Sequence, residues 1–438
     1  MEKNKILDKL GIDLSPMQKA SCKEILQTNK DIVLLSPTGT GKTYAYLIPL
    51  VQLVDVQSDN VQAVVLVPSR ELAKQTMNVV TEMKCGVRAM ALYGGRSTMD
   101  EHRLIRDTKP QLIFATPGRI NDHLDKNNFE SSEIQLLVID EFDKCLELGF
   151  QEEMQQTMAK LPFVKRRVLL SATDSDIIPD FVNLNRVTRL DYRYDNESDV
   201  TRIHFYHLRS SEKDKLHLLS QLLLLLGNQS SIVFLNYRES VDRVAGFLSS
   251  MGFGIAAFHG GLEQKERESA LYKFSNGSAN IFISTNLAAR GLDIPDVDNI
   301  IHYHLPENEG EYIHRIGRTA RWDKEGKVYF LLGPNEFLPE YVKESVDMIE
   351  IPDRLPPIVQ PDMCTLYIGK GKKDKISKGD IVGFLCKIGG LTKSEIGRID
   401  VMPRFSYVAV DRKKKNSVIE LTKGKKIKGL NTLVEDVS

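Results

Sequence analysis

The stretch Asp31-Ile32-Val33-Leu34-Leu35-Ser36-Pro37-Thr38-Gly39-Thr40-Gly41-Lys42-Thr43 joins an apolar run to a glycine-rich segment that ends in lysine and threonine. The run predicts a buried strand. The glycine-rich segment that ends in Gly41-Lys42-Thr43 predicts a phosphate loop, although Ser36 stands where the motif has its first glycine. Backbone N–H groups at the start of the following helix face phosphate, Lys42 reaches the β- and γ-phosphates, and Thr43 ligates magnesium. A glycine-rich turn without ligand is the alternative, but a Lys-Thr pair there has no packing purpose. We therefore expect a nucleotide to contact Ser36, Thr38, Gly39, Thr40, Gly41, Lys42 and Thr43.

A second apolar run, residues 134–139, leads into the acids of Asp140-Glu141-Phe142-Asp143. At the carboxyl end of a strand, Asp140 would hold a metal ion and Glu141 would orient the water that attacks phosphate. Acids after a strand are, on their own, as often part of a solvated loop. Together with the phosphate loop, they favour ATP and Mg2+ as the cofactors of a hydrolase.

Apolar, strand-like runs alternate with helical patterns along most of the chain, which predicts parallel sheets covered by helices on both faces. The runs after the phosphate loop are residues 63–67, 111–115, 134–139, 167–170, 232–235, 280–283, 300–303 and 327–331. A polar break at residues 194–199 divides these runs into two groups. We therefore expect an α/β fold with two RecA-like parallel-sheet domains, residues 1–200 and 201–350.

The chain after residue 350 differs in composition from the rest. Residues 351–362 are rich in proline and predict a semi-extended linker. Residues 363–438 carry 17 Lys and Arg against 8 Asp and Glu, a net charge of +9 in a chain whose total is zero. Segments there follow a β-α-β-β-α-β order, which predicts a small α+β domain similar to an RNA-recognition motif.

Composition excludes several classes of protein. The length of 438 residues suggests about three domains. The five cysteines lack metal-type spacing, so we expect reduced thiols. The greasiest stretch, residues 218–226, is shorter than the ~20 residues of a membrane span and predicts a buried helix. We expect no signal peptide and no membrane binding, and therefore a cytoplasmic protein. We also expect a monomer.

The motifs also fall in the order of a known family. Besides the phosphate loop and the acids, they are Pro68-Ser69-Arg70-Glu71-Leu72-Ala73, Gly94-Gly95, Thr116-Pro117-Gly118-Arg119, Ser171-Ala172-Thr173, Thr285-Asn286-Leu287-Ala288-Ala289-Arg290-Gly291-Leu292-Asp293 and His314-Arg315-Ile316-Gly317-Arg318-Thr319-Ala320-Arg321. Over residues 10–335 the chain resembles the DEAD-box RNA helicases of superfamily 2. The resemblance implies an RNA-dependent ATPase and RNA helicase that binds ATP, Mg2+ and RNA.

The resemblance also implies roles for individual residues. The catalytic set would be Lys42, Asp140, Glu141, His314, and the arginine fingers Arg318 and Arg321, with Thr43 and Asp140 on the metal. Gln18 would read adenine, Asp293 would meet the ribose, and Arg315 would tie the two halves together. RNA backbone contacts would come from Arg70, Gly95, Thr116, Arg119, Arg238, Gln264, Arg267 and Thr285. A single arginine could equally form a surface salt bridge, so the set is more specific than any member.

Three departures from the family pattern stand out. Phe142 replaces the usual alanine; the three acids remain, so we expect metal chemistry to be kept, with the coupling of hydrolysis to domain closure open to change. Ile12 replaces an aromatic residue, and its spacing to Gln18 is one residue short. Asn286 and Ala320 replace an aspartate and a glycine, and we expect both to be tolerated.

The basic tail resembles the C-terminal RNA-binding domain of the DbpA group of bacterial DEAD-box proteins. The matching residues are 390–391, 396–400 and 406–410. This resemblance implies binding to structured ribosomal RNA and a setting in large-subunit assembly. Tyr407 falls where RNA-recognition motifs stack bases, with plain packing as an equal alternative. Lys413, Lys414 and Lys415 predict phosphate contacts, with a solvated loop as the alternative.

Two functions of different classes fit these residues. In the first, the chain is an ATPase that clamps and locally unwinds duplex RNA, in ribosomal RNA remodelling or large-subunit assembly. In the second, it is an ATP-gated RNA-binding clamp or assembly factor with little unwinding. A DNA translocase is a more distant third, which stimulation of the ATPase by RNA over DNA would dismiss.

Overall fold

The computed structural model describes residues 11, 13–37, 39–95, 97–174, 178–193, 202–286, 294, 296–320 and 324–437. The chain divides after residue 200 into two compact units. The first unit holds one parallel sheet, and we call its described residues from 13 to 193 the first domain. The second unit holds a further parallel sheet in residues 202–350, the second domain, and an antiparallel sheet in residues 363–437, the C-terminal domain.

The first domain is a parallel sheet flanked by helices. Its strands are β1 (Ile32–Leu35), β2 (Ala63–Leu66), β3 (Ala89–Leu92), β4 (Leu112–Ala115), β5 (Leu136–Ile139), β6 (Arg166–Ser171) and β7 (Thr188–Asp191). Neighbouring strands are parallel, in the order β3-β4-β2-β5-β6-β1-β7. Its helices are α1 (Pro16–Gln27), α2 (Lys42–Leu53), α3 (Arg70–Met83), α4 (Thr98–Thr108), α5 (Pro117–Asp125), α6 (Phe142–Glu147) and α7 (Gln151–Lys160).

The apolar sequence of the central strands explains this layering. Every residue of β1, β2, β4 and β5 is buried, as expected for strands covered on both faces. Successive side chains of a strand point to opposite faces. Ile32 and Leu34 therefore lie in one hydrophobic core, and Val33 and Leu35 lie in the other.

The second domain repeats the same plan. Its strands are β8 (Ile203–Arg209), β9 (Ser231–Phe234), β10 (Ile255–Phe258), β11 (Ile281–Ser284), β12 (Asn299–His302), β13 (Gly326–Leu332) and β14 (Val346–Met348). They are parallel, in the order β10-β11-β9-β12-β13-β8-β14. Its helices are α8 (Leu216–Leu226), α9 (Arg238–Met251), α10 (Gln264–Ser275) and α11 (Glu309–Ile316). The leucine-rich α8 packs into the core of this domain, as the sequence predicts.

The C-terminal domain has the β-α-β-β-α-β order predicted from the sequence. Its elements are β15 (Met363–Ile368), α12 (Lys378–Lys387), β16 (Ile396–Val401), β17 (Ser406–Asp411), α13 (Lys415–Thr422) and β20 (Val434–Asp436), with a hairpin of β18 (Lys426–Ile427) and β19 (Leu430–Asn431) before β20. The sheet is antiparallel, in the order β16-β17-β15-β20. One face of this sheet packs on the two helices to form a separate core. The predicted fold class is thereby confirmed.

The strands that sequence reasoning missed share a location. Each predicted apolar run forms a strand, with ends shifted by a residue or two. The missed strands β3, β7, β10 and β14 are the edge strands of the two parallel sheets, and β8 lies next to an edge. An edge strand needs less apolar surface than a central one, so its sequence signal is weaker.

The proline-rich segment is extended but not free. Residues 351–362 form no helix or strand, in agreement with the predicted linker. Its side chains Ile351 and Ile358 nevertheless pack against the core of the second domain. The Gln360 side-chain amide donates to the carbonyl of Gly252. The segment therefore runs along the second domain.

Two expectations from composition can be compared with the structure. All five cysteines are free thiols, and Cys386 is the one that is not buried. Within the described part of the chain, no helix combines the length and apolar character that a bilayer crossing requires. Localisation and oligomeric state remain expectations.

Candidate functional site

The candidate nucleotide residues follow two strands of the first domain: the phosphate loop follows β1, and Asp140-Glu141 follows β5. A further motif, Ser171-Ala172-Thr173, for which the sequence predicts no ligand, lies at the end of β6. In the sheet these strands lie side by side in the order β5-β6-β1. Parallel strands present their carboxyl ends at one edge, so the fold gathers these sequence-distant residues on one half of that edge.

The phosphate loop is held by contacts within itself. Lys42 is buried, and its Nζ donates to the carbonyl oxygens of Ser36, at 2.6 Å, and Pro37, at 3.1 Å. The Ser36 hydroxyl is hydrogen bonded to the Thr40 hydroxyl at 2.7 Å. Gly41 has φ +83°, a left-handed conformation that favours glycine. A phosphate that binds Lys42 must therefore replace loop carbonyls as its partner. Thr38 lies outside the described residues.

Gln18 joins the first helix to this loop. Its Oε1 accepts from the backbone N–H of Ser15 at 2.9 Å, which completes a capping box at the start of α1. Its Nε2 donates to the carbonyl of Gly41 at 3.0 Å, and a β-carbon at position 41 would collide with this amide. The predicted adenine-reading residue thus lies directly against the phosphate loop. Its contact with adenine stays a prediction. Ile12 lies outside the described residues.

The acids after β5 form a buried, electrostatically strained pair. Asp140 accepts from the Tyr46 hydroxyl at 3.1 Å and from the Glu141 backbone N–H at 2.9 Å. Burial and the neighbouring Glu141 carboxylate raise the pKa of Asp140 to about 7. Burial and the carboxylate of Asp140 likewise raise the pKa of Tyr46. Tyr46, on α2, was missed by sequence reasoning because nothing near it in the sequence indicates a contact with Asp140.

A divalent cation fits these residues. Glu141 has φ +51°, and its buried Oε2 has no hydrogen-bond partner among the described residues. Two adjacent buried carboxylates repel each other, and a nearby cation would remove that cost. The Asp140 carboxylate and the Thr43 hydroxyl are the oxygen donors that magnesium prefers. The donor chemistry therefore agrees with the predicted metal residues.

The last acid of the motif is tied to the next strand. The Thr173 hydroxyl donates to the Asp143 carboxylate at 2.7 Å, and the Ser171 hydroxyl donates to the Thr173 carbonyl at 2.5 Å. These two hydrogen bonds join the segment after β5 to the end of β6. Sequence reasoning recognised both motifs but not the bond between them.

The unusual Phe142 lies in the hydrophobic core. Its side chain is 2% exposed and packs in the cluster that contains Leu35, Ile139 and Cys145. The ring therefore fills the space beneath the acids. This departure from the family pattern is a change in core packing that leaves Asp140, Glu141 and Asp143 in place.

Phe142→Ala is accordingly expected to lower the free energy of unfolding of the first domain by about 3–5 kcal/mol, because a buried ring would leave a cavity. Urea unfolding of the full chain measures this loss. Phe163→Ala is the matched control, since that ring is 55% exposed and its removal should change stability by less than about 0.5 kcal/mol. Equal stability of the two variants would contradict the packing role.

The candidate RNA residues of the first domain occupy the other half of the same sheet edge. They follow β2, β3 and β4, which are neighbours in the order β3-β4-β2. The Arg70 guanidinium lies on Gly94 and Gly95, so close that a β-carbon at position 95 would stand 2.6 Å from Nη1. Gly95 has φ +88° and is exposed. The glycine pair therefore permits the close approach of Arg70.

Arg119 is oriented by a buried carboxylate. Its Nε donates to Glu101 Oε2 at 2.7 Å, and its Nη1 donates to the Thr98 hydroxyl at 3.0 Å. Glu101 is 1% exposed and also contacts His123 Nε2 at 3.0 Å. Thr116, another predicted RNA residue, stands at the N-cap of α5 one turn before Arg119. Glu101 was missed because charged residues of an amphipathic helix are usually solvated.

The candidate RNA residues of the second domain also lie together on one half of a sheet edge. The predicted RNA residues Arg238, Gln264 and Thr285 follow β9, β10 and β11, which are neighbours in the order β10-β11-β9. Arg238 is exposed, and a β-carbon added at position 260 would stand 3.4 Å from its Nη2. Arg267 is buried and donates to Gln264 Oε1 at 2.6 Å. The structure brings this set together on one half of the edge.

Arg315 is the most enclosed charged residue of the second domain. The fully buried guanidinium donates to the Oδ1 atoms of Asn286, at 2.6 Å, and Asn236, at 2.8 Å, and to the carbonyl of His304 at 2.8 Å. These bonds join the carboxyl ends of β11, β9 and β12. The prediction that Arg315 ties the two halves together is not tested, whereas its role inside this domain is visible. Asn286 supplies an acceptor oxygen to Arg315, as an aspartate at this position would, and its tolerance stays a prediction.

The remaining motif residues are only partly described. His314 lies buried on α11, and Arg318 is 3% exposed two residues beyond that helix. Ala320 has φ +55°, which explains why glycine is usual there and means that alanine carries a strain of about 1–2 kcal/mol. Arg321 and Asp293 lie outside the described residues.

One prediction for the C-terminal domain needs correction. Tyr407 is 4% exposed, and its ring packs on that of Tyr272 with centroids 4.9 Å apart. A base cannot stack on this buried face, so the packing alternative is the one that the structure shows. Lys415 forms an ion pair with Asp436 at 2.5 Å, whereas Lys413 and Lys414 are exposed. The phosphate contacts of all three lysines stay predictions, because a surface ion pair is weak.

Comparison with known proteins agrees with these observations. Three family models match the chain: DEAD/DEAH box helicase over residues 15–180, helicase conserved C-terminal domain over 214–323, and DbpA RNA binding domain over 365–436. The chain is 32% identical to the ATP-dependent RNA helicase DbpA of Escherichia coli over 97% of this chain and 94% of that protein. It is 30% identical to the ATP-dependent RNA helicase DbpA of Bacillus subtilis over 91% and 90%.

Solved structures show the same similarity. S. cerevisiae Dbp5 bound to RNA and ADP BeF3 matches with a TM-score of 0.70 and 26% identity, covering 79% of this chain and 93% of that one. The DEAD-box helicase Mss116 bound to ssRNA and UDP-BeF matches with a TM-score of 0.68 and 27% identity, covering 76% and 73%. Both neighbours hold an RNA and a nucleotide analogue together.

Proposed function

Because the chain belongs to the family of DEAD-box ATP-dependent RNA helicases, we propose that it clamps duplex RNA and uses ATP to separate its strands locally. As a member of this family it is an RNA-dependent ATPase. The finer proposal is a remodelling enzyme for structured ribosomal RNA, in large-subunit assembly. A cytoplasmic monomer remains part of the proposal.

One observation carries this proposal. In the first domain, residues expected to bind ATP follow β1 and β5, and residues expected to bind RNA follow β2, β3 and β4. The two groups share one edge of one rigid sheet. In the second domain, the expected RNA residues again follow neighbouring strands, and the Arg315 guanidinium is hydrogen bonded to residues just after β9, β11 and β12. The shared sheet edge of the first domain supports a coupling of nucleotide binding to RNA binding.

We propose the following roles at the ATP site. Lys42 holds the β- and γ-phosphates, and the backbone of Ser36, Gly39, Thr40 and Gly41, with Thr38, surrounds them. Thr43 and Asp140 would hold magnesium, which when bound would neutralise charge on the phosphates. Glu141 orients the attacking water, because its Oε2 is buried and has no bond within the described chain. His314, Arg318 and Arg321 complete the site, and Gln18 and Asp293 select adenine and ribose.

RNA recognition is proposed to have two parts. Arg70, Gly95, Thr116, Arg119, Arg238, Gln264, Arg267 and Thr285 would hold the RNA backbone without reading sequence. The match to the DbpA RNA binding domain and its net charge of +9 support a separate anchor on structured RNA. Lys413 and Lys414 are exposed cations of this anchor, and Lys415 remains predicted with them.

A strand-displacement assay separates the proposed helicase from an ATP-gated clamp with little unwinding. A short RNA duplex joined to a large-subunit ribosomal RNA fragment should release its labelled strand when ATP is added. The same duplex incubated with a non-hydrolysable ATP analogue measures the strand release that RNA clamping causes without hydrolysis. ATP-dependent binding without strand release would replace the helicase proposal with the clamp, and activity on DNA duplexes alone would contradict both.

A further inference from the structure

The sheet of the C-terminal domain has one face that does not pack on its own helices. Thr365 and Tyr367 of β15 pair with Ala409 and Tyr407 of β17, so these four side chains share that face. The opposite face carries the core residues of the domain. In the structure the first face packs against α10 of the second domain and the turn that follows it.

Aromatic rings form one end of this contact. The Tyr272 ring of α10 lies 4.9 Å from the Tyr407 ring, and its hydroxyl donates to the carbonyl of Arg398 at 3.0 Å. The Arg398 guanidinium stands over the Tyr272 ring at 5.9 Å. Tyr272 is 5% exposed and Tyr407 is 4% exposed. The two rings are tilted by 35°, and aromatic pairs of this kind stabilise a contact beyond their buried area.

Polar side chains form the other end. Asn276 Nδ2 donates to the Thr365 hydroxyl at 2.9 Å, and that hydroxyl donates to the Ser278 hydroxyl at 2.8 Å. Arg412 donates to the carbonyls of Ser278, at 3.1 Å, and Met363, at 2.8 Å. Thr365 is 3% exposed. Asn276, Ser278 and Arg412 are half-buried and Thr365 is buried, so separation of the two domains would leave the groups paired across the contact to find new partners.

The connecting segment adds a third constraint. Arg412 Nε donates to the carbonyl of Pro361 at 2.5 Å, and the ring of Pro361 packs so tightly on Gly254 that a β-carbon would stand 2.6 Å from it. Ile358 is packed against the core of the second domain. A flexible tether lets its ends explore a broad range of separations, whereas these contacts remove that freedom.

We propose that the C-terminal domain is a fixed platform on the second domain, and that Tyr272 is a positioning residue that sets the distance and direction between RNA anchored on this platform and the duplex at the helicase core. The face with Tyr407 is then a protein-docking surface, whose partner is α10 of the same chain. RNA would bind the exposed basic side of the domain, where Lys413 and Lys414 lie. This inference rests on the proposed function only where it concerns RNA.

A distance measurement tests the platform without RNA. Spin labels at Ser249→Cys on α9 and Lys393→Cys in the C-terminal domain, both exposed positions, are placed in a Cys386→Ser background. The full chain should give a single narrow distance distribution, and Tyr272→Ala should broaden it. Tyr272→Phe keeps the ring and should keep the narrow distribution. A broad distribution in the unsubstituted chain, or a narrow one in Tyr272→Ala, would overturn the proposal.

Asn276→Ala is a second variant that tests docking if Tyr272→Ala does not fold. It removes one hydrogen bond at a half-exposed position on the opposite end of the contact and should also broaden the distribution. Circular dichroism of each variant separates loss of docking from loss of fold. If both variants are folded and undocked, the platform is supported at two independent positions.

The positioning role is tested with RNA. Duplexes are joined to a large-subunit ribosomal RNA fragment through oligo-uridine spacers of increasing length. A fixed platform predicts an optimum spacer, with strand release at least ~10-fold slower away from it, because effective concentration depends on the match between span and linker. Tyr272→Ala should flatten this dependence while ATPase with unrelated RNA is unchanged. A flat dependence in the unsubstituted chain would overturn the positioning role, whereas no strand release from any duplex would reject the proposed helicase function instead.

Discussion

Glu141→Gln is expected to slow ATP hydrolysis ~10²–10⁴-fold while ATP still binds. The physical reason is that the amide cannot attract a proton from the attacking water as the carboxylate does. The substitution preserves size and keeps the left-handed N-cap position of α6 occupied by a residue of the same shape. Single-turnover hydrolysis with saturating RNA measures the rate, and fluorescent-nucleotide titration measures binding.

Lys42→Ala is the comparison that separates the two steps. Lys42 is the buried cation of the phosphate loop, so its removal should weaken binding as well as hydrolysis. Hydrolysis at the original rate in Glu141→Gln would show that this carboxylate does not act on water. Loss of nucleotide binding in Glu141→Gln would assign the residue to binding instead.

Arg318→Ala is expected to reduce ATP hydrolysis ~10³–10⁵-fold, the range known for arginine fingers in phosphoryl transfer. A guanidinium placed on the transferring phosphoryl group stabilises the charge of the transition state, which alanine cannot do. ATP and RNA affinity should fall far less than the rate, because the interaction is strongest in the transition state. Single-turnover hydrolysis and RNA binding, measured on the same preparation, provide the two values.

Arg243→Ala is a suitable control for this variant. Arg243 is in the same domain, its side chain is 59% exposed, and it forms an ion pair with Asp214. Removing a surface arginine of this kind should leave hydrolysis within about twofold, because surface ion pairs contribute little. A rate for Arg318→Ala that equals the rate of Arg243→Ala would remove Arg318 from the catalytic set.

Site residues can be predicted best from the sequence where a function depends on a short run of residues. The phosphate loop and the acids after β5 are such runs, and the structure places them at neighbouring strand ends. Sequence reasoning missed the partners Tyr46 and Glu101, because they lie 94 and 18 residues from Asp140 and Arg119 and no local pattern marks them. Tertiary packing decides such contacts.

The C-terminal domain shows a different limit. Its alternating strands predicted the fold, but alternation cannot say which partner covers the second face of a sheet. Tyr407 has the position of a base-stacking residue, and the helix that covers it lies more than a hundred residues earlier in the chain. The extended segment before this domain likewise has a linker composition, while its packing depends on Gly252 and Gly254 of the second domain.

We propose that RNA binding and ATP hydrolysis are coupled, because the residues expected to bind RNA and nucleotide share one sheet edge. The most direct test of this coupling is the rate of ATP hydrolysis by the full chain as RNA is added, with large-subunit ribosomal RNA, an unrelated RNA and DNA compared in parallel. We predict slow hydrolysis without RNA and little response to DNA. Both RNAs should increase the rate to saturation, and the ribosomal RNA should do so at lower concentrations than the unrelated RNA. A rate that is the same with and without RNA would contradict this coupling.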